Sequence, residues 1–109
     1  MADSGLPRSF LRPLLLVALR GGDSHGYELV EHLAALGLNV DLAGVYRMLR
    51  TLEGDGLVSA RWERSNLGPP RRVYDLSPAG EVATDEAYVE LTAARDHLDQ
   101  ALMGAKVAR

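Results

Sequence analysis

The chain has no cysteine in its 109 residues. That excludes disulfides and thiolate-bound metals and fits a reducing compartment such as the cytoplasm. No hydrophobic run approaches membrane-spanning length. The apolar stretch from Leu14 to Leu19, preceded by Arg8 and Arg12, is too short and lacks the cleavage pattern of an export signal. The reading is a cytoplasmic protein with no membrane partner. No glycine-rich loop followed by Lys-Ser or Lys-Thr is present to cradle a nucleotide, and there is no internal repeat or low-complexity segment. Asp23, Ser24 and His25 have the residue types of a hydrolytic triad, but triad members converge from separate segments and neighbours in one turn point apart. Capping and packing explain them better. His25, Glu28 and His32 can share a helix face, yet two turns between the histidines is long for one metal ion. His97 lies among acids and reads as surface. No enzyme, cofactor or metal site is expected.

What is present is an ordinary soluble composition, 47% hydrophobic and 25% charged, enough for one domain with a modest core. The net charge of −3 argues mildly against nucleic acid, but its distribution reverses that inference. From Ala43 to Tyr74 six arginines face three acids, giving +3; from Ala79 to Met103 one arginine faces six acids, giving −5. Such a chain can offer its basic middle to DNA and keep its acidic end away.

A first helix should start between Ser9 and Pro13 and end at Arg20, stopped by Gly21 and Gly22. Asp23 and Ser24 are N-cap candidates for a second helix near Gly26 to Leu36, with Tyr27, Leu29, Val30, Leu33 and Leu36 on its apolar side. A turn of about four residues then leads to a third helix capped by Asp41. Leu42, Val45, Tyr46, Leu49 and Leu52 make its buried stripe. Ala43, Gly44, Arg47, Arg50 and Thr51 face outward; small residues beside arginines let a backbone approach DNA, and arginine reads guanine edges. Taken alone, this is better explained as an ordinary amphipathic helix whose arginines keep it soluble.

The next residues tip the balance. Gly54 and Gly56 end the helix. Leu57, Val58, Ala60 and Trp62 suggest one strand, residues 66–70 a loop, and Val73, Tyr74 and Leu76 a second strand. Arg61, Arg64, Arg71 and Arg72 decorate this hairpin, where they can grip phosphates. Ser77 and Pro78 then open a long last helix. Tyr88, Leu91, Arg95, Leu98 and Leu102 fall on one seam beside alanines 87, 94 and 101, an arrangement suited to pairing with a second copy. Val82, Val89 and Ala93 form a weaker strip, expected to face the domain body.

The fold class is therefore mainly α with a small β-hairpin: a winged helix-turn-helix over residues 9–77 and a dimerisation helix over residues 78–105. The segments LLLVAL, HGYEL (from His25), GVYRMLRTLEGDGLV (from Gly44) and GPPRRVYDLSPAG (from Gly68), in this order, resemble the PadR family of bacterial transcriptional regulators. The resemblance covers about residues 14–80. It implies a homodimeric winged helix-turn-helix, usually a repressor and often acting near its own gene. Its DNA-contact positions fall on Gly44, Tyr46 and Arg47 of the recognition helix and on Arg71 and Arg72 of the wing, and its last helix dimerises. The single C-terminal helix resembles the smaller subtype. Two departures stand out. Asp41 occupies a position where the family often has serine, and its carboxylate would repel a phosphate. The last helix lacks the tryptophan on which some multidrug-binding members stack planar ligands; the sole tryptophan is Trp62.

The leading expectation is a repressor that binds an imperfect palindrome of double-stranded DNA as a homodimer, through Gly44, Tyr46, Arg47, Arg50, Thr51, Arg64, Arg71 and Arg72. A small-molecule effector would sit between the last helix and the body, near Tyr88. The alternatives are a winged-helix module that binds protein and not DNA, for which four hairpin arginines are superfluous, and a small hydrolase or metal enzyme, for which no convergent site is offered.

Overall fold

In a computed structural model, residues 6–107 are described. A 3-10 turn, Arg8–Phe10, leads into α1 (Leu11–Arg20). Then come β1 (Ser24–His25), α2 (Gly26–Ala35), α3 (Leu42–Gly54), β2 (Val58–Glu63), β3 (Arg71–Leu76) and α4 (Pro78–Val107). The three strands form one antiparallel sheet in the order β1-β3-β2.

Helical spacing of apolar residues makes the core. Leu15, Leu16 and Leu19 of α1, Leu29 and Leu33 of α2, and Val45, Leu49 and Leu52 of α3 are buried together with Val58, Tyr74 and Ala87. Burial of the Tyr74 ring raises its phenol pKa, which keeps the hydroxyl neutral. Leu42 and Leu36, expected on apolar stripes, are exposed, because each sits at a helix end where the body no longer reaches.

The helix ends follow from two glycines. Gly37 and Gly56 adopt φ of +85° and +77°, a region open to glycine at no steric cost. After α2, the Gly37 amide donates to the Ala34 carbonyl at 2.9 Å and the Leu38 amide to Leu33 at 2.9 Å. After α3, Gly56 donates to Glu53 at 3.0 Å and Leu57 to Leu52 at 2.9 Å. Both ends are thus closed by the same paired-bond stop, which turns the chain sharply. The first stop sets α2 against α3 across six residues, 36–41, rather than four. The second delivers the chain into β2.

The expected caps of α2 are corrected. His25, not Asp23 or Ser24, caps the helix: its Nδ1 faces the Glu28 amide at 3.3 Å while Glu28 Oε1 accepts from the His25 amide at 3.1 Å. Ser24 and His25 are held as a strand by pairing with Tyr74 and Val73, and Asp23 turns to Arg61. For α4 the expected cap holds. Ser77 Oγ accepts from the Gly80 amide at 3.0 Å and donates to the Gly56 carbonyl at 2.6 Å, tying the helix start to the end of α3.

Thirty residues of α4 give a rod about 45 Å long at 1.5 Å per residue. Its first half lies on α1 through Ala83, Thr84 and Ala87, and the buried Thr84 hydroxyl donates to the Gly80 carbonyl at 2.7 Å. Val82 and Val89, read from sequence as facing the body, are 61% and 71% exposed. The small residues take the contact because they let two helix backbones approach.

Candidate nucleic-acid interface

The outward face of α3 is built as its sequence suggests. The Asp41 carboxylate accepts from the Gly44 amide and caps the helix, so it is already committed to that bond. Arg47, Arg50 and Thr51 are exposed and Gly44 is half-buried. The Thr51 hydroxyl donates to the Arg47 carbonyl at 3.1 Å, so its hydrogen stays within the helix. Arg47 and Arg50 have no ion pair with any described residue.

Tyr46 packs against the edge of the core and is half-buried. Its ring lies directly over Gly26, the first residue of α2, where a Cβ would come within 2.6 Å of a ring carbon. The glycine therefore lets the start of α2 and the middle of α3 meet. Beside that junction opens a cleft of about 480 Å³, lined by His25, Tyr27, Tyr46, Trp62, Pro70, Arg71 and Arg72. It joins three elements: the start of α2, the recognition-helix candidate α3, and the wing.

The hairpin arginines divide into two kinds. Arg61 donates to Asp23 at 2.5 Å and to Glu63 at 3.4 Å. The Asp23 hydrogen bond raises its pKa further, so it stays charged but locally neutralised. Arg72 lies opposite Trp62 in the register, stacks over its ring at 5.2 Å and donates to Glu53 at 3.3 Å. Arg64 is exposed and has no ion pair among the described residues. Arg71 is exposed, and its Nη1 lies 3.1 Å from His25 Nε2. The six arginines counted as one basic block thus include two engaged with carboxylates and four that are not.

On α4, Tyr88 is 47% exposed, Leu98 58% and Leu102 68%; Arg95 is exposed and Leu91 half-buried. Beyond Leu91, Leu98 and Leu102 stay exposed, and Arg95 pairs only with its neighbour Asp96 at 3.4 Å. Arg20, at the end of α1, anchors the near half of the rod. It donates to Asp85 at 2.9 Å, to Glu81 Oε1 at 3.2 Å and to the Glu81 carbonyl at 2.8 Å, and it stacks over Tyr88 at 5.5 Å. Its pKa is raised, first by the Asp85 hydrogen bond.

Sequence reasoning missed three cleft residues. Tyr27 shares the helical spacing of the apolar side of α2 but is 56% exposed. Trp62 fits a strand pattern and is 67% exposed. Nothing in the residues around His25 marks it as more than packed or solvated. Only the two-residue strand β1 brings it against the wing, and so short a pairing leaves no periodicity to read.

The three residues that only have the types of a hydrolytic triad go separate ways, as capping and packing require: Asp23 to Arg61, Ser24 Oγ to Glu28 at 3.2 Å, and His25 to the start of α2. Among the described residues no three of His, Cys, Asp or Glu gather as a metal site, and no helix is long and apolar enough to cross a membrane.

No curated protein matches the chain. Solved structures do. A PadR family transcriptional regulator from Eggerthella lenta is 28% identical, with a TM-score of 0.75 over 87% of this chain and 83% of that one. A putative transcriptional regulator from Thermoplasma acidophilum is 24% identical, with a TM-score of 0.76 over 88% and 93%. Bacillus subtilis PadR, solved in complex with operator DNA, is 19% identical, with a TM-score of 0.66 over 73% of this chain and 47% of that one. These share the winged-helix fold. The model of the PadR-like family of transcriptional regulators matches residues 14–86, from within α1 through the wing to the first turns of α4, and the chain belongs to that family.

Proposed function

We propose that this regulator is a homodimeric repressor that binds an imperfect palindrome in double-stranded DNA. The observation that carries the reading is the pair of exposed arginines without carboxylate partners, Arg47 and Arg50, on the outward face of α3 beside the wing cleft. Arginine on a helix in the major groove reads base edges, chiefly guanine. Gly44, Tyr46 and Thr51 lie beside them, and Arg64 and Arg71 of the wing meet phosphates, which fix register without reading sequence. Arg72 supports the wing through Glu53 and Trp62 and contributes field more than contact. The relative solved with operator DNA supports this use of the fold.

Dimerisation runs through the far half of α4, where Leu98 and Leu102 stand exposed on the seam, with Tyr88, Leu91 and Arg95 at its near end. Residues 9–77 act as the reading head and residues 78–105 as the coupling helix. Two heads related by a dyad enter successive major grooves about 34 Å apart. A small-molecule effector between α4 and the body, beside Tyr88, would act by favouring one spacing of the heads over the other.

The test is selection of binding sites from random duplexes by the purified protein. Enrichment of a two-fold symmetric consensus, bound as two chains per duplex, is the expected result. A protein that enriches no sequence and binds DNA no better than a neutral control leaves the protein-binding winged-helix module as the reading instead.

A further inference from the structure

His25 lies where three elements meet. It ends β1, occupies the N-cap position of α2 and faces the wing strand β3, and its side chain is only 15% exposed. Its Nδ1 is 3.3 Å from the Glu28 amide nitrogen, and its Nε2 is 3.1 Å from Arg71 Nη1 and 3.4 Å from Glu28 Oε1. A neutral imidazole has one lone-pair nitrogen and one N–H. Two donors, the Glu28 amide and the Arg71 guanidinium, therefore compete for one acceptor. Charge favours the guanidinium, because hydrogen bonds with an ionised partner are the stronger ones, and it is also the nearer; the Glu28 carboxylate at 3.4 Å would favour an N–H on Nε2, but its Oε1 already accepts from Ser24 Oγ and the His25 amide. The Glu28 amide belongs to the first turn of a helix, where water can serve it.

We propose that His25 is a positioning residue for Arg71: it offers its lone pair from Nε2 and holds one edge of the guanidinium on the wing, leaving the rest for a DNA phosphate. The proposal rests on the reading of Arg71 as a phosphate contact. Arginine carries five N–H donors in a planar fork, so one contact with His25 leaves enough for a phosphate. A guanidinium already oriented gives up less rotamer freedom on binding. The contrast with its neighbours explains why a histidine stands here. Arg61 and Arg72 are oriented by carboxylates, which also cancel their charge toward DNA. A neutral imidazole orients Arg71 and leaves its charge uncancelled.

The two ring nitrogens can be separated by substitution. Asparagine places its oxygen near the position of Nδ1, where it caps α2 well but falls short of Arg71. Glutamine reaches toward the position of Nε2 and caps poorly. The measurements are melting temperature and affinity for the selected duplex, made on His25→Asn, His25→Gln, Arg71→Ala and the double variant H25N/R71A. His25→Asn should melt no lower than the parent and bind about 3- to 10-fold more weakly. His25→Gln should melt lower and bind more nearly like the parent. Adding His25→Asn to Arg71→Ala should cost no further affinity. If His25 serves only as a cap, His25→Asn restores both stability and binding, which overturns the proposal, as does His25→Gln binding no better than His25→Asn. An Arg71→Ala variant that binds like the parent overturns the wing reading itself. A weakened Arg71→Ala beside an unchanged His25→Asn overturns only the role of His25.

Discussion

Four carboxylates around the hairpin are tied to arginines: Glu53 to Arg72, Asp23 and Glu63 to Arg61, and Asp55 to Arg12. On the far half of α4 the arrangement differs. Asp96 meets only its neighbour Arg95, at 3.4 Å, and Asp99 has no cationic partner among the described residues. The outward face of α3 and the hairpin keep four arginines without carboxylate partners, whereas the unpaired groups on the far half of the rod are acidic. The difference shows that a segment's formal charge does not measure what a partner meets. What counts is the charge left over after the fold has made its own pairs. On the outward face of α3 and the hairpin that remainder is Arg47, Arg50, Arg64 and Arg71, against Asp75 of β3; elsewhere on the head Glu31 and Asp41 also have no arginine partner among the described residues.

The largest expected effect comes from breaking the rod. Leu98→Asp combined with Leu102→Asp places two more anions on a seam already bordered by acids. The variant should sediment as a monomer at micromolar concentration and bind the palindrome at least about 100-fold more weakly, because the second half-site no longer benefits from tethering. A dimer that persists in this variant would move the coupling surface elsewhere on the chain. Next in size is the head. Arg47→Ala should cost roughly 1–3 kcal/mol of operator binding and relax the preference at one position of each half-site. A uniform loss across all sequences would instead make Arg47 a phosphate contact.

The head was more legible in the sequence than the rod, and the reason is physical. On α3, large leucines and a valine recur at helical spacing between a capping aspartate and a glycine stop, so pattern, cap and end agree. On α4, hydropathy pointed to Val82 and Val89 as the face toward the body, and both are exposed. Contact with α1 is made by Ala83, Thr84 and Ala87, chosen by size rather than by hydropathy. Close approach of two helices rewards the smaller side chain, and a scale that ranks valine above alanine misses it. The cleft was illegible for another reason. His25 and Tyr27 are far from Trp62 in sequence, and only β1 pairing with β3 brings them to the wing.

A smaller effect sharpens the division among the arginines. Arg64→Ala should weaken all duplex sequences alike and reduce the slope of log affinity against log salt by about 1, as loss of one phosphate contact requires. Melting temperature should hardly move, since the side chain has no ion pair to lose. A change in sequence preference would contradict its assignment to the backbone.

The smallest effect on DNA is expected from Arg72→Ala, which tests the other half of the comparison. Arg72 is about one-third exposed, pairs with Glu53 and covers Trp62. Its removal leaves the Glu53 carboxylate without a partner and bares the indole. An ion pair this open to solvent contributes little, and a cation over an aromatic ring at a partly exposed site adds a comparable amount. Together about 1 kcal/mol of stability should be lost, seen as a lower melting temperature and as altered Trp62 fluorescence, which reports locally because it is the only tryptophan. Specificity should be unchanged, and affinity should fall less than for Arg64→Ala, because Glu53 already cancels much of the charge that Arg72 presents to DNA. Were Arg72→Ala to lose more affinity than Arg64→Ala at equal stability, Glu53 would have to release the guanidinium when DNA binds. The two kinds of arginine would then be one kind, separated only in the free protein.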